Sequence, residues 1–544
     1  MVRVVLVLLT LLVFNWQASP NLFFGVENAT EASFLWSDEG RQIQMLENIQ
    51  NTGSLKLLQQ AYTSLYIHLS YLTAWGIESG SPISPKSFAY GSKWVSLVSM
   101  NLFLLVGFWM AYKVFASFSW ALISMILLAG QSLNLLFATR IHPEATMILF
   151  VALTLCCATF FFLQSRTLYL WLMVICSALA VGSKPMAVFL GPWMLLIFLA
   201  TLWQHRITCY QQILGWIIQC VVLFLVAFTI SSPYQVFQLP EWIAGLLSEN
   251  AYSAGKWAGR SGWEWFYVIT GDSFLGPFFT LLFVVGAGFG IWQLFWGLPF
   301  FLKGGRGDLY SQKSFFLELP LFLKGGRGDF QKAFFLINLS WILIGCGYIM
   351  LSSRSFIDRY LIHAHFSFVM VMALGGYWLF HALKPNYKKW VMGVIVILVL
   401  AGIQGQLRLL HRDIKRRERM DQGFVAHRNF FHELQTYLPQ DARVLYTRRV
   451  YMLSDAFPFA KRVREFINVP LLEKENIEYL IVNQNGRPGM KQKGIVPVTD
   501  HEHKVQETIR FWQKLEKNGV EGLFQVIQQY PDIQVTVYQK SGVH

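Results

Sequence analysis

The sequence predicts a polytopic α-helical membrane protein with about eleven transmembrane helices, each needing about 20 apolar residues, and a C-terminal soluble α/β domain. Three observations carry this. Of 544 residues, 54% are hydrophobic and only 14% charged, whereas a soluble chain carries roughly 25% charged residues. Aromatic residues reach 16%, with 20 Trp, as expected when rings line two water–lipid boundaries. Apolar runs of spanning length follow one another as far as residue 406, beyond which the chain turns polar.

The runs lie near 2–16, 93–112, 118–138, 145–163, 167–183, 186–203, 212–231, 274–296, 333–352, 361–383 and 390–406. The first, Val4 to Phe14 behind Arg3, has the length of a signal-peptide core. Ala18-Ser19-Pro20 is a poor cleavage site, so the run reads as a short first membrane helix. Two long polar gaps, 17–92 and 232–273, are the large outer loops, and a third gap, 297–332, is basic.

Lys and Arg in short loops set orientation. With a cytoplasmic N-terminus, the inside loops hold Lys113, Arg166, Arg206, the 297–332 cluster and Lys384, Lys388 and Lys389. The acids Asp38, Glu39, Glu144, Glu241, Glu249, Glu264, Asp272 and Asp358 then gather outside. One feature opposes this. Arg408, Arg412, Lys415, Arg416, Arg417 and Arg419 follow the last span, and the same rule favours the cytoplasm for them. An odd number of spans puts them outside, and a helix lying on anionic headgroups is the alternative.

Within 297–332 the decapeptide Pro299–Asp308 recurs, little changed, as Pro320–Asp329. Its Gly-Gly-Arg-Gly-Asp core suggests a phosphate loop or an integrin ligand. No strand precedes it, no Gly-Lys-Ser/Thr follows, and its side is cytoplasmic, so it reads as a duplicated, functionally neutral insertion. The formal charge of +14 points to membrane lipid and orientation rather than nucleic acid. The six cysteines (Cys156, Cys157, Cys176, Cys209, Cys220, Cys346) sit in or beside apolar runs without Cys-x-x-Cys spacing, as packing residues do.

These features divide the chain into a membrane domain, 1–406, and a soluble domain, 407–544, placed outside the cytoplasm. In the latter, helical patterning covers 411–438 and 503–518. Strand-like runs fall at Val444–Tyr446, Ile477–Val482, Phe524–Ile527 and Gln534–Tyr538. No nucleophile motif, phosphate loop or metal spacing occurs there, which suits a support or acceptor-recognition role.

Four outer segments hold charges at the edge of apolar runs, where ionisable groups are costly and often functional. They are Asp38-Glu39-Gly40-Arg41, Arg140-Ile141-His142-Pro143-Glu144, Gly182-Ser183-Lys184-Pro185 and Asp358-Arg359-Tyr360. The first precedes an amphipathic stretch with Ile43, Met45, Leu46 and Ile49. Each has a plainer reading. Asp38 suits a helix N-cap, Glu144 a helix N-terminus, Arg140 and Lys184 interface snorkelling, and Arg359 a local pair with Asp358. Gathered on one face, they match what transfer from a lipid phosphate demands: a base for an acceptor hydroxyl and cations for the phosphate leaving group.

On these segments the sequence resembles the glycosyltransferase-C superfamily, in particular protein mannosyltransferases, aminoarabinose transferases and Rgt-like membrane glycosyltransferases. The carrying residues are Asp38-Glu39-x-Arg41, Arg140-x-x-Pro143-Glu144, Lys184-Pro185, Ser232-Pro233-Tyr234, Trp263–Tyr267 and Arg359-Tyr360. The resemblance covers roughly residues 1–406. It implies inverting sugar transfer from a polyprenyl-phosphate donor to a glycan, lipid or protein acceptor, with or without a divalent cation. The expected setting is a bacterial inner membrane, with the site facing the periplasm. By the same resemblance Asp38 is the base, Glu39 an orienting or acceptor-binding group, and Glu144 a second acidic position that binds acceptor or metal. Arg41, with Arg140, Lys184 and Arg359, is expected at the donor phosphate.

The chain departs from the pattern at Tyr62-Thr63-Ser64-Leu65, where many relatives carry Lys-Pro-Pro or His-Pro-Pro, leaving His68 as a substitute phosphate contact. A secondary transporter or lipid flippase is the alternative from another class. Such proteins show two similar halves and mid-membrane charges, and neither is visible here. A non-enzymatic scaffold leaves the charged segments without a role.

Overall fold

In hydrocarbon no water bonds the backbone, so apolar stretches satisfy their own amides by forming helices. In the computed structural model each of the eleven apolar stretches holds one. The structure describes residues 2–24, 26, 37–52, 63–79, 82–256, 264–271, 274–296, 327–347, 358–447, 450, 457–462, 469–483, 508, 510–515, 524–531 and 534–541.

The chain begins with α1 (Val2–Ala18), α2 (Ser37–Thr52), α3 (Leu65–Glu78) and α4 (Pro85–Phe115). Next come α5 (Phe118–Ala129), α6 (Ser132–Phe137), α7 (Glu144–Gln164), α8 (Thr167–Ser183), α9 (Leu190–Gln204) and α10 (Tyr210–Ser231). Then follow α11 (Pro233–Phe237), α12 (Leu239–Lys256), α13 (Glu264–Thr270), α14 (Gly276–Trp296), α15 (Arg327–Trp341), α16 (His365–Ala382) and α17 (Pro385–Tyr437). Among the described residues, eight helical segments are long and apolar enough to span: Val2–Asn21, Pro85–Phe115, Glu144–Gln164, Pro185–Gln204, Tyr210–Ser231, Gly276–Leu294, Leu361–Ala382 and Pro385–Lys415. The protein is a polytopic helical membrane protein.

Three expected spans lie outside these eight. The run 118–138 breaks at Gln131, which adopts extended backbone (ψ 125°) between α5 and α6. Side-chain amides take up carbonyls beside the break: Asn134 Nδ2 donates to Leu128 O at 2.8 Å and Gln131 Nε2 to Leu127 O at 3.3 Å. The run 167–183 is one helix of 17 residues. The run 333–352 begins earlier, as α15, and passes into a π-helical turn at Ile342–Cys346. Arg327–Lys332, the end of the basic gap, forms the first turns of α15. There Gln331 Nε2 donates to Val114 O at 3.1 Å, and Gln331 Oε1 accepts from Trp378 Nε1 at 2.9 Å. The remainder of the duplicated stretch lies outside the described residues.

The second span starts at Pro85 rather than 93. Lys93 lies inside α4, buried, because its Nζ donates to the carbonyls of Asn21 at 2.9 Å and Phe24 at 2.5 Å. Its charge is satisfied by backbone at and just beyond the end of the first span.

α17 runs without a break through residue 407 to Tyr437. By packing, residues 42–254 and 261–414 belong to one compact unit and 415–544 to a second, with which residues 37–41 also group. The second unit adds α18 (Val469–Lys474) and strands β1 (Val444–Tyr446), β2 (Lys461–Arg462), β3 (Tyr479–Asn483), β4 (Phe524–Tyr530) and β5 (Val535–Lys540). The sheet order is β2-β1-β3-β5-β4. β1 pairs parallel with β2 and β3, and β5 antiparallel with β3 and β4. Side chains alternate between sheet faces. Tyr479 and Ile481 accordingly join Phe430, Phe431 and Leu434 of α17, while Leu480 and Val482 pack with Phe511 and Trp512.

His427 of α17 is buried at the edge of this domain, and burial pushes its pKa from 6.5 down to about 4. The native state therefore holds it neutral while the unfolded chain takes up a proton below about pH 6.5. Stability from this group is present above pH 6.5 and is lost as pH falls toward 4. His427→Phe should flatten the fall of the domain's unfolding midpoint between pH 7 and 4, as followed by tryptophan fluorescence.

Candidate active site

Two helix ends build the centre of the site. α7 opens with Glu144 in its first turn, where a carboxylate complements the positive end of the helix. α8 stops at Ser183 because a residue before proline avoids helical backbone, and Lys184 adopts φ −153°, ψ 128° ahead of Pro185. α7 and α8 pack together along their length and are joined only by Ser165 and Arg166, with Ser165 at φ 47°. They must therefore run antiparallel, and the start of one stands beside the end of the other.

That geometry joins Glu144 to Lys184. The ammonium Nζ donates to Glu144 Oε1 at 2.5 Å, and the carboxylate is fully buried. His142 is buried as well, with Nδ1 against Glu144 Oε2. A lone buried charge costs several kcal/mol; this one is met by a cation and an imidazole. Lys184 is thus no snorkelling anchor, since its charge turns inward.

The loop carrying His142 is held by its backbone. Ser96 Oγ of α4 donates to the Arg140 carbonyl at 2.8 Å. The Tyr66 hydroxyl of α3 lies 2.9 Å from the Ser92 carbonyl and 3.1 Å from Ser96 Oγ. Arg140 directs its guanidinium to Asp413 of α17, 3.5 Å from both carboxylate oxygens, and lies over the Phe137 ring at 5.4 Å. Its cation is engaged by Asp413 rather than by Glu144.

The other expected residues are placed less fully. Asp38, Glu39 and Arg41 lie in the opening turns of α2 rather than in a loop ahead of it. Glu39 is buried on the face that also carries Gln42, Ile43 and Leu46, the i, i+3, i+4, i+7 stripe of a helix. Arg359 belongs to a 3-10 helix, Asp358–Ala364, which packs against α7. The side chains of Asp38, Arg41 and Arg359 lie outside the described residues. So does Trp263, while Trp265 of α13 is buried and Tyr267 exposed. Burial lowers the pKa of His68 in α3, so it stands neutral near pH 7 and is a weaker phosphate contact than an ammonium.

No three His, Cys, Asp or Glu side chains among the described residues gather as a metal site. Glu144 in particular does not present an open carboxylate, since Lys184 and His142 occupy its two oxygens. The residues present do not fit a divalent cation at this point.

His142 was legible: it stands two residues before Glu144 in a loop already singled out. Tyr66 and Ser96 carry no such signal, because a hydroxyl in an apolar run is ordinarily a packing residue that bonds its own helix.

No family profile matches the chain, and no curated protein sequence does. The fold is similar to two crystal structures of ArnT from Cupriavidus metallidurans. The form bound to undecaprenyl phosphate has 10% identity and a TM-score of 0.49, with 98% of this chain and 97% of that one covered. The apo form has 11% identity and a TM-score of 0.45, with 92% of each chain covered.

Proposed function

We propose that the protein is a membrane glycosyltransferase that moves a sugar from a polyprenyl-phosphate donor to an acceptor hydroxyl at the extracytoplasmic face. The observation that carries the proposal is the buried Glu144–Lys184 pair with His142 beside it. A membrane domain that holds a buried carboxylate and a cation together at the open end of one helical hairpin has built a charged site, which a scaffold does not need.

In this reading Asp38 accepts the proton of the acceptor hydroxyl as its oxygen attacks the anomeric carbon. The carbon–oxygen bond to phosphate breaks, its electron pair stays on the phosphate, and the anomeric configuration inverts. Glu39 orients the acceptor. Lys184 meets the phosphate with Arg41, Arg140 and Arg359, and Glu144 holds the ammonium in place between turnovers. The cations act by stabilising leaving-group charge in a water-poor site, where such contacts are strongest.

The test uses membranes containing the full-length protein and a polyprenyl phosphate carrying labelled hexose or pentose. Asp38→Asn should lower transfer by about 10²–10⁴-fold, the usual contribution of a general base, with protein abundance unchanged. Wild-type transfer by this variant would remove Asp38 as the base.

A further inference from the structure

The carbonyl end of α8 is capped only in part by the residue that follows it. The last four carbonyls of a helix lack helical partners; here they belong to Ala180, Val181, Gly182 and Ser183. Ala180 O accepts from the Lys184 amide at 3.0 Å. The next two are taken by hydroxyls from distant segments. Thr63 Oγ1 donates to Val181 O at 2.9 Å, and Ser232 Oγ donates to Gly182 O at 3.2 Å. Ser232 Oγ in turn accepts from the Ser64 amide at 3.3 Å, and Ser64 Oγ lies 3.3 Å from Ser231 O and from Gln235 Oε1. Thr63, Ser64 and Ser232 are all buried, so water does not compete for these bonds.

The approach is close. A Cβ on Gly182 would lie 2.2 Å from Ser231 Oγ, so only glycine lets the end of α10 reach the last turn of α8. Lys184 follows that turn by a single residue, and Pro185 fixes its backbone on the other side. The two clamped carbonyls thereby hold the backbone from which its side chain leaves, and Glu144 holds its Nζ.

We infer that Thr63 and Ser232 are positioning residues for phosphate recognition, holding the carbonyl end of α8 so that the Lys184 ammonium stands where a lipid phosphate can reach it. The inference rests on the assignment of Lys184 to the phosphate under the proposed function. It also gives the Thr63-Ser64 segment a role. At the point where the resembled family carries Lys-Pro-Pro or His-Pro-Pro, this chain places hydroxyls that act on the phosphate through Lys184. Misplacing such a group by about 1 Å costs up to 10²-fold, so a clamp two bonds deep is enough to matter.

The experiment measures binding of a C15 prenyl monophosphate, and of the matching C15 prenyl alcohol, to the full-length protein in detergent by tryptophan fluorescence. Ser232→Ala and Thr63→Val should each weaken the phosphate about fivefold, equivalent to about 1 kcal/mol for one buried hydrogen bond, and leave the alcohol unchanged. Ser232→Thr should restore phosphate binding. Unchanged phosphate binding in both variants overturns the inference, as does equal loss for phosphate and alcohol, which marks general damage. If Ser232→Ala fails to fold, Thr63→Val carries the test. Lys184→Met separates the two levels: wild-type phosphate binding by this variant removes Lys184 from the phosphate and the clamp's role with it. Phosphate binding that depends on the clamp, without any sugar transfer by the wild type, keeps the clamp and removes the enzyme reading.

Discussion

Lys184→Met is expected to abolish sugar transfer and to destabilise the protein by about 3–5 kcal/mol, the usual result of stripping one partner from a buried ion pair. The Glu144 carboxylate is fully buried and bonded to Lys184. Without the ammonium only His142 remains against it. The double variant Lys184→Met with Glu144→Leu removes both charges and should recover most of the stability, since a buried pair replaced by apolar groups of similar volume is often neutral or better. It should not recover transfer. That separation of stability from activity is the informative part. Thermal unfolding of the detergent-purified protein, read alongside transfer in membranes, checks it. A single variant with the wild-type midpoint would show that Glu144 needs no counter-charge.

Gly375→Leu is expected to prevent assembly of the membrane domain. A Cβ at this position would lie 2.1 Å from Gly286 O and 2.3 Å from Gly286 Cα, so α14 and α16 cross with their backbones in contact. Membrane helices gain little from hydrophobicity against one another and rely on such close approach of small residues. Overpacking usually costs about 1–3 kcal/mol. Here the obstructing atoms are backbone, which no rotamer change moves aside, so the effect should exceed that range. The loosening should also reach the 3-10 helix Asp358–Ala364, which leads directly into α16. Gly376→Ala is the control, because its Cβ would meet only the Trp120 ring at 3.7 Å. Size-exclusion profiles and thermal midpoints should separate the two variants clearly; equal behaviour would remove the crossing as a packing constraint.

Helix positions were readable because burial in lipid demands long apolar runs whatever the neighbours do. The details that went unread depend on partners far away in sequence. Lys93 lies buried inside α4 because the distant carbonyls of Asn21 and Phe24 satisfy it. The break at Gln131 follows from side-chain amides that supply alternative bonds to the backbone. In the second unit the apolar run Ile477–Val482 announced β3, which is buried on both faces, whereas β2, two residues long, is defined by its pairing with β1. The same division holds at the site. The loop 140–144 and the Lys184-Pro185 step stood out as charges beside apolar runs. That Arg140 turns to Asp413 while Lys184 turns to Glu144 could not be read from either.

Composition and periodicity alone settled that this chain lives in a bilayer, where its helices fall and which ionisable residues sit at their ends, because the cost of wet backbone and bare charge in hydrocarbon is local and large. Pairing was decided in three dimensions. Whether Lys184 is a surface anchor or the buried partner of Glu144 depends on α7 and α8 folding back on each other, and its aim depends on hydroxyls from Thr63 and Ser232. Such contacts act over a few ångströms between residues 40 to 168 positions apart, and no pattern along the chain encodes a distance of that kind.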